Sequence, residues 1–240
     1  MQDLLLVITN PKKLFEQIAE DHELLKPMLV ILVVVALATT AGQFTMDRVS
    51  MVEEQFTAQE QLLKNLGTPE EEIKAALDVA RAAVEGGPGV MELVSSFIFV
   101  PIAAFIGILL WAVYFKIVAG ILKVGGSFSD WHAFVWWTRV PMAIGAIIVL
   151  LGNLFLSPSS VAEANFLSFA TLFGIEVNPM LGQLVYSFDL ISIWLIGVTA
   201  IGFSAWTEKS IGVSLVIAAI PPVIFFALGL FLNSLLSSSI

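Results

Sequence analysis

Five long apolar segments with almost no charge constrain this chain more than any other feature of its sequence. They lie at about 27–46, 93–122, 140–156, 184–206 and 211–232. A helix needs roughly 17–25 such residues to cross a bilayer. Because the runs are continuous and lipid leaves no backbone group unpaired, they predict helices rather than a barrel. The composition agrees, since 58% of the 240 residues are hydrophobic and 13% are charged. We therefore predict an all-α membrane protein with five transmembrane helices.

The region 47–92 is the one long polar stretch between the predicted spans. It holds ten acidic and four basic residues, a net charge of −6. Apolar residues recur there at helical spacing on both sides of Thr68-Pro69, which is typical of a helix start. We predict an acidic helical hairpin that forms an outer loop between the first and second spans.

The sequence of residues 1–26 predicts an amphipathic helix. The membrane domain follows it, and we place this domain at 27–240. Asn10-Pro11 opens this helix, and Leu14, Phe15 and Ile18 form an apolar stripe on it. Two arrangements stay open. The helix lies on the membrane surface, or it packs against the cytoplasmic ends of the spans, and neither arrangement excludes the other.

The basic residues predict the orientation of the chain. Seven of them flank the same ends of the spans: Lys12, Lys13, Lys26, Lys116, Lys123, Arg139 and Lys209. The segment between the third and fourth spans has no Lys or Arg, and the same is true of the residues after the fifth span. Positive residues favour the cytoplasmic side. We expect a cytoplasmic N-terminus and an outside C-terminus.

Charge and composition exclude several classes of function. The net charge of −9 argues against a nucleic-acid partner, and the absence of Cys removes thiolate metal sites and catalytic thiols. The sequence contains no catalytic set, phosphate loop or metal motif. We expect no enzyme activity, no bound metal and no cofactor.

Asp189 falls inside the predicted fourth span, and a carboxylate at such a position is by default a candidate functional residue. Asn153, near the outer end of the third span, matches its depth best. Asp189 is either a protonatable or ion-binding group, or a hydrogen-bonded residue that fixes helix packing and caps a broken helix. We favour the packing role, because no second acid lies at that depth.

Four spaced features follow one another along almost the whole chain. They are Asn10-Pro11, Gly125-Gly126 before the third span, Pro141 after an aromatic stretch, and Asp189 with Trp194 five residues later. In this order they resemble the bacterial YIP (Ypt-interacting protein) family of integral membrane proteins. Arg139 departs from the pattern, because a small or apolar residue is more usual there.

This resemblance implies a five-span fold with a cytoplasmic N-terminus. Eukaryotic relatives associate with small GTPases and carry a longer N-terminal domain, which is absent here, so we do not expect GTPase binding. We expect a non-catalytic protein of a bacterial plasma or inner membrane that organises the membrane or binds a partner. Its partners would be membrane lipids and either another membrane protein or a second copy. The alternative is a small transporter or channel that uses Asp189.

Replacing Asp189 with Asn distinguishes the two roles of this residue. If Asp189 serves packing, the Asp189→Asn variant should express and fold like the wild type, because the amide keeps the shape and hydrogen-bonding capacity. Circular dichroism and size-exclusion chromatography measure this. Loss of a proton or ion flux in a correctly folded variant would contradict the packing role.

Overall fold

The computed structural model describes residues 2–21, 23–65, 67–177 and 182–237, and within these ranges the chain forms helices and no β-strand. A π-helical segment, Ser95–Phe99, joins α6 to α7. The helices in chain order are α1 (Gln2–Thr9), α2 (Pro11–Asp21), α3 (Leu25–Gly42), α4 (Arg48–Asn65), α5 (Glu70–Glu85), α6 (Val90–Val94), α7 (Val100–Ile121), α8 (Phe128–Thr138), α9 (Val140–Leu156), α10 (Val161–Ala164), α11 (Phe169–Leu172), α12 (Gly182–Tyr186), α13 (Leu190–Thr207) and α14 (Ile211–Ser237).

Five helical stretches are long and apolar enough to cross a membrane, which confirms the predicted fold class. The third is longer than its predicted range, because the apolar helix α8 precedes α9. The fourth begins six residues later than predicted, since the chain breaks between α12 and α13. The five stretches are Leu25–Gly42, Val90–Ile121, Phe128–Leu156, Leu190–Thr207 and Ile211–Leu232.

The chain divides into two compact units. Unit 1 comprises Met1–Thr39, Ser95–Ile148 and Ile191–Pro222. Unit 2 comprises Thr40–Val94, Val149–Leu190 and Val223–Ile240.

The core of unit 1 is a cluster of aromatic rings around α8. Phe115 of α7 lies 5.2 Å from Phe134 and 5.7 Å from Phe203 of α13, measured between ring centroids. Trp131 lies 5.5 Å from Phe134 in an edge-to-face arrangement. These separations fall in the range where aromatic pairs attract beyond simple burial. Rings from three helices therefore fill the centre of this unit.

Helix α2 packs against this cluster through its apolar stripe. Leu14 and Phe15 are fully buried, and Ile18 is nearly so. The indole nitrogen of Trp206 donates to the backbone carbonyl of Phe15 at 2.8 Å, and that of Trp137 donates to the carbonyl of Glu23 at 2.7 Å. Of the two arrangements left open by the sequence, the structure shows packing against the spans.

Helix α1 is tied to the start of the first span by an ion pair. Lys26 Nζ lies 2.6 Å from the Asp3 carboxylate and 3.0 Å from that of Glu23. The hydrogen bond from Lys26 lowers the pKa of Asp3. Because both side chains of the Asp3 pair are about one third exposed, the pair contributes at most about 1 kcal/mol to folding.

In unit 2 the polar segment after the first span forms a hairpin of α4 and α5, as predicted. Arg81 of α5 bonds Glu53 of α4 at 2.5 Å, and Arg48 bonds Glu92 at 2.6 Å. The carboxylate of Glu54 also accepts the backbone N–H of Val161 at 3.0 Å. Cross-links between oppositely charged groups therefore hold together a segment whose net charge is strongly negative.

Gly202 lets Phe15 approach α13. A Cβ atom at this position would meet the Phe15 ring at 2.7 Å. Gly197 in the same helix has no atom within 4 Å of its virtual Cβ. A methyl group at position 202 therefore forces α2 outward, whereas the same group at 197 meets open space.

Replacing Gly202 with Ala should weaken the docking of α2. We expect Gly202→Ala to destabilise the protein by about 1–3 kcal/mol through overpacking. Gly197→Ala is the matched control and should be neutral or stabilising, because Ala has the higher helix propensity. Thermal unfolding in detergent measures both. Equal melting temperatures for the two variants would contradict the packing described here.

Candidate functional site

The loop between α7 and α8 contains the two glycines singled out in the sequence. Gly126 has φ of +103°, and a Cβ there would lie 2.9 Å from the indole nitrogen of Trp131. Lys116 Nζ donates to the Gly126 carbonyl at 2.6 Å. Gly125 has open space around its virtual Cβ and no positive φ. Gly126 is therefore required by backbone conformation and close packing, whereas Gly125 is not.

This loop sets the start of α8. Ser127 and Asp130 form a capping box, in which the Ser127 hydroxyl accepts from the Asp130 N–H and the Asp130 carboxylate accepts from the Ser127 N–H. Pro141 lies in the first turn of α9, where its missing N–H costs no helical bond. The predicted residues Gly126 and Pro141 thus bracket α8, whose side chains are mostly buried.

Asp189 is not inside a helix, contrary to the predicted span. It is half-buried in the break between α12 and α13, at the position immediately before Leu190. Asp189 forms an antiparallel bridge with Ser168. Beside this bridge, the backbone N–H of Leu190 donates to the carbonyl of Leu167 at 3.1 Å. An Asp at the residue before a helix suits an N-cap position. This placement agrees with the packing role and does not favour an ion site in mid-membrane.

Trp194 and Asn153, which the sequence grouped with Asp189, have surroundings of their own. Trp194 is partly buried against the core of unit 1, whereas Asp189 belongs to unit 2. Asn153 is 1% exposed, and its Oδ1 has no hydrogen-bond partner in the described part of the chain. That oxygen therefore makes no bond to Asp189.

A groove lined by both charged and apolar side chains lies between α2 and the turn that joins α13 to α14. Its volume is about 510 Å³, and four charged side chains line it: Lys12, Glu16, Glu208 and Lys209. On α2, Lys12 Nζ lies 3.8 Å from Glu16 Oε1. We call this feature the α2 groove. It presents charges of both signs on a surface that the docked α2 helix helps to form.

The turn on one side of the α2 groove has a defined conformation. Glu208 directly follows α13 and has φ of +56°, a region that a residue with a side chain occupies at a cost. The Ser204 hydroxyl donates to the Lys209 carbonyl at 2.7 Å, and the Ser210 carbonyl accepts the N–H of Ser214 at 3.0 Å. These bonds hold Glu208 and Lys209 at the groove.

Arg139 is a buried charged residue of unit 1, and the sequence had given it a role only in the orientation of the chain. Arg139, between α8 and α9, is 6% exposed and lies over the ring of Trp111. The signal was present in the sequence, since this is a single Arg within a long apolar stretch. In the described residues no group of three or more His, Asp or Glu side chains is placed to hold a metal ion.

These features define a multi-pass α-helical membrane protein with a helix docked on its spans. The Yip1 domain model matches residues 5–232, almost the entire chain, and the chain belongs to this family. This confirms the family resemblance. Neither a curated protein nor a solved structure matches the chain.

Gly126 should tolerate substitution much less than its neighbour. Gly126→Ala should lower the free energy of unfolding by about 1–2 kcal/mol, because a left-handed conformation is costly for Ala. Gly125→Ala is the control and should change little. Thermal unfolding measures both, and intrinsic tryptophan fluorescence should shift only in Gly126→Ala, where Trp131 must move. Equal melting temperatures for Gly126→Ala and the wild type would contradict the described loop.

Proposed function

We propose that this Yip1-domain protein is a non-catalytic membrane organiser that binds a protein partner through the α2 groove. The observation that carries the proposal is the groove itself, a surface built from the N-terminal helix and the α13–α14 turn. The partner is another membrane protein or a second copy of this chain, in a membrane whose lipids surround the spans. GTPase binding is not part of the proposal.

Charge pattern supports a protein as the occupant of the α2 groove. Lys12 and Lys209 are balanced by Glu16 and Glu208, so the groove has no net charge to attract a simple ion. Alternating charges instead favour a complementary arrangement of charges on a partner, which improves specificity and association rate. The packing of Leu14 and Phe15 also presents the polar face of α2 in one orientation, and this reduces the entropy lost on binding.

We propose that this groove faces the cytoplasm. Lys12, Lys13 and Lys209 are near it or on the same ends of the spans, and positive residues favour the inner face of a bacterial plasma or inner membrane. With five spans, the proposal puts the C-terminus outside.

Photo-crosslinking tests the groove. A photoreactive residue at Lys12, in the full chain at native expression in its own membrane, should give one stoichiometric protein adduct. The same residue at Val79 of α5, which is 71% exposed, is the control position and should not. Glu208→Lys in the same chain should reduce the Lys12 adduct about ten-fold or more, because it makes the groove positive.

A second charge reversal controls for nonspecific effects. Glu71→Lys on α5 makes the same change of charge outside the groove and should leave the Lys12 adduct intact. Adducts with lipid alone at Lys12, or equal loss in both charge variants, would contradict the proposal.

Single cysteines test the orientation, because the chain has none of its own. In intact cells or spheroplasts a membrane-impermeant maleimide should label Ser159→Cys, which lies between the third and fourth spans. It should label Lys13→Cys only after permeabilisation. Both side chains are exposed, so access to the membrane face decides the result. The reverse pattern would place the α2 groove outside the cell.

A further inference from the structure

A cavity of about 210 Å³ lies within unit 1, among α7, α9, α13 and α14. Its walls are mostly apolar, and three polar residues also line it: Arg139, Ser192 and Thr199. Arg139 is the charged member of this lining. The cavity shares no lining residue with the α2 groove.

Two polar side chains of this cavity are buried with atoms that lack partners. Arg139 is 6% exposed, and its Nη2 has no hydrogen-bond partner among the described residues. Thr199 is 1% exposed, and its Oγ1 also has no partner among them. In the described part of the chain no carboxylate lies within ion-pair distance of Arg139, whose guanidinium carbon lies 4.1 Å from the centre of the Trp111 ring.

Helix geometry places these groups well inside the apolar stretches. Trp111 precedes the end of α7 at Ile121 by ten residues, which is roughly 15 Å at 1.5 Å per residue. Thr199 precedes the end of α13 at Thr207 by eight residues, or about 12 Å. Arg139 itself stands between α8 and α9, eleven residues after the start of the third apolar stretch at Phe128, or roughly 16 Å at 1.5 Å per residue. It therefore lies inside that stretch and not at its end, where the sequence had placed it.

An isolated cation at such a depth is costly. The penalty for a central Arg is larger where neither water nor a counter-charge reaches it. The cation–π contact with Trp111 offsets only part of this penalty. Water fills such a space poorly, because each molecule needs two to four polar partners and the walls are mainly apolar. An anion supplies the missing charge and the missing acceptors together.

The donor set indicates the chemistry of that anion. A guanidinium presents a planar fork of N–H donors that matches two oxygens of a phosphate, and the Thr199 hydroxyl can donate to a third. The apolar walls suit the carbon portion of a lipid beside its headgroup. We propose that this cavity binds the phosphate group of an anionic ligand, with an acidic phospholipid as the favoured source and free phosphate as the other.

Native mass spectrometry of the full chain from nanodiscs tests the site. The nanodiscs contain phosphatidylcholine with or without phosphatidylglycerol. Wild type should retain one phosphatidylglycerol, and Arg139→Gln should lower its occupancy about ten-fold or more. Arg81→Gln is the matched control, since it removes an Arg from α5 outside the cavity, and it should retain the lipid.

Two further variants keep the test decisive if Arg139→Gln does not fold. Thr199→Val keeps the side-chain shape and removes the hydroxyl, so it should weaken retention several-fold. Arg139→Lys keeps the charge but loses the fork, so it should retain an intermediate amount. Retention in both equal to wild type would overturn the proposal.

A second arm distinguishes the two sources of phosphate. Inorganic phosphate is added to the chain in phosphatidylcholine nanodiscs, and thermal unfolding is followed. Stabilisation of wild type but not of Thr199→Val, without retention of phosphatidylglycerol, assigns the site to free phosphate. If neither probe distinguishes wild type from the Arg139 and Thr199 variants, the cavity is not a phosphate site.

Discussion

The contact between Phe15 and α13 holds α2 against the other helices of unit 1. The fully buried Phe15 ring lies where Gly202 leaves room, and the Trp206 indole donates to the Phe15 carbonyl from the same helix. Phe134 of α8 lies 5.4 Å from the Phe15 ring and links it to the aromatic core. Because one ring joins α2, α8 and α13, the polar face of α2 has a fixed orientation, and the α2 groove depends on it.

Unit 1 also contains a buried charge, which opposes folding where the aromatic contacts favour it. Its aromatic core gains stability by excluding water, yet Arg139 is buried beside Trp111 with a nitrogen that has no partner in the described ranges. A buried charge is weak evidence for stability, and it is retained where it serves specificity or binding. We propose that an anionic ligand accounts for this buried charge. We likewise propose the α2 groove as the surface for a partner and the cavity as the site for the anion.

The sequence predicted the parts of the fold that depend on composition and periodicity. Five long apolar runs were sufficient for the spans, and the stripe of Leu14, Phe15 and Ile18 predicted the buried face of α2. The neighbours of that face depend on tertiary packing, which periodicity does not report. Asp189 was placed inside a span because the sequence from 184 to 206 is continuously apolar around it. The bridge between Ser168 and Asp189 breaks that helix, and it joins residues distant in the chain. The cavity at Arg139 was missed for the same reason, since its walls come from four separate helices.

The most direct measurement is a crosslink from position 15 itself. A phenylalanine analogue with a diazirine on its ring replaces Phe15 in the full chain, which is illuminated in its native membrane and digested. The structure predicts an adduct on the peptide of α13 that contains Gly202, because that residue lies directly against the ring. Adducts on lipid acyl chains, with none on α13, would show that α2 is a separate surface anchor and would contradict the docked helix and the α2 groove.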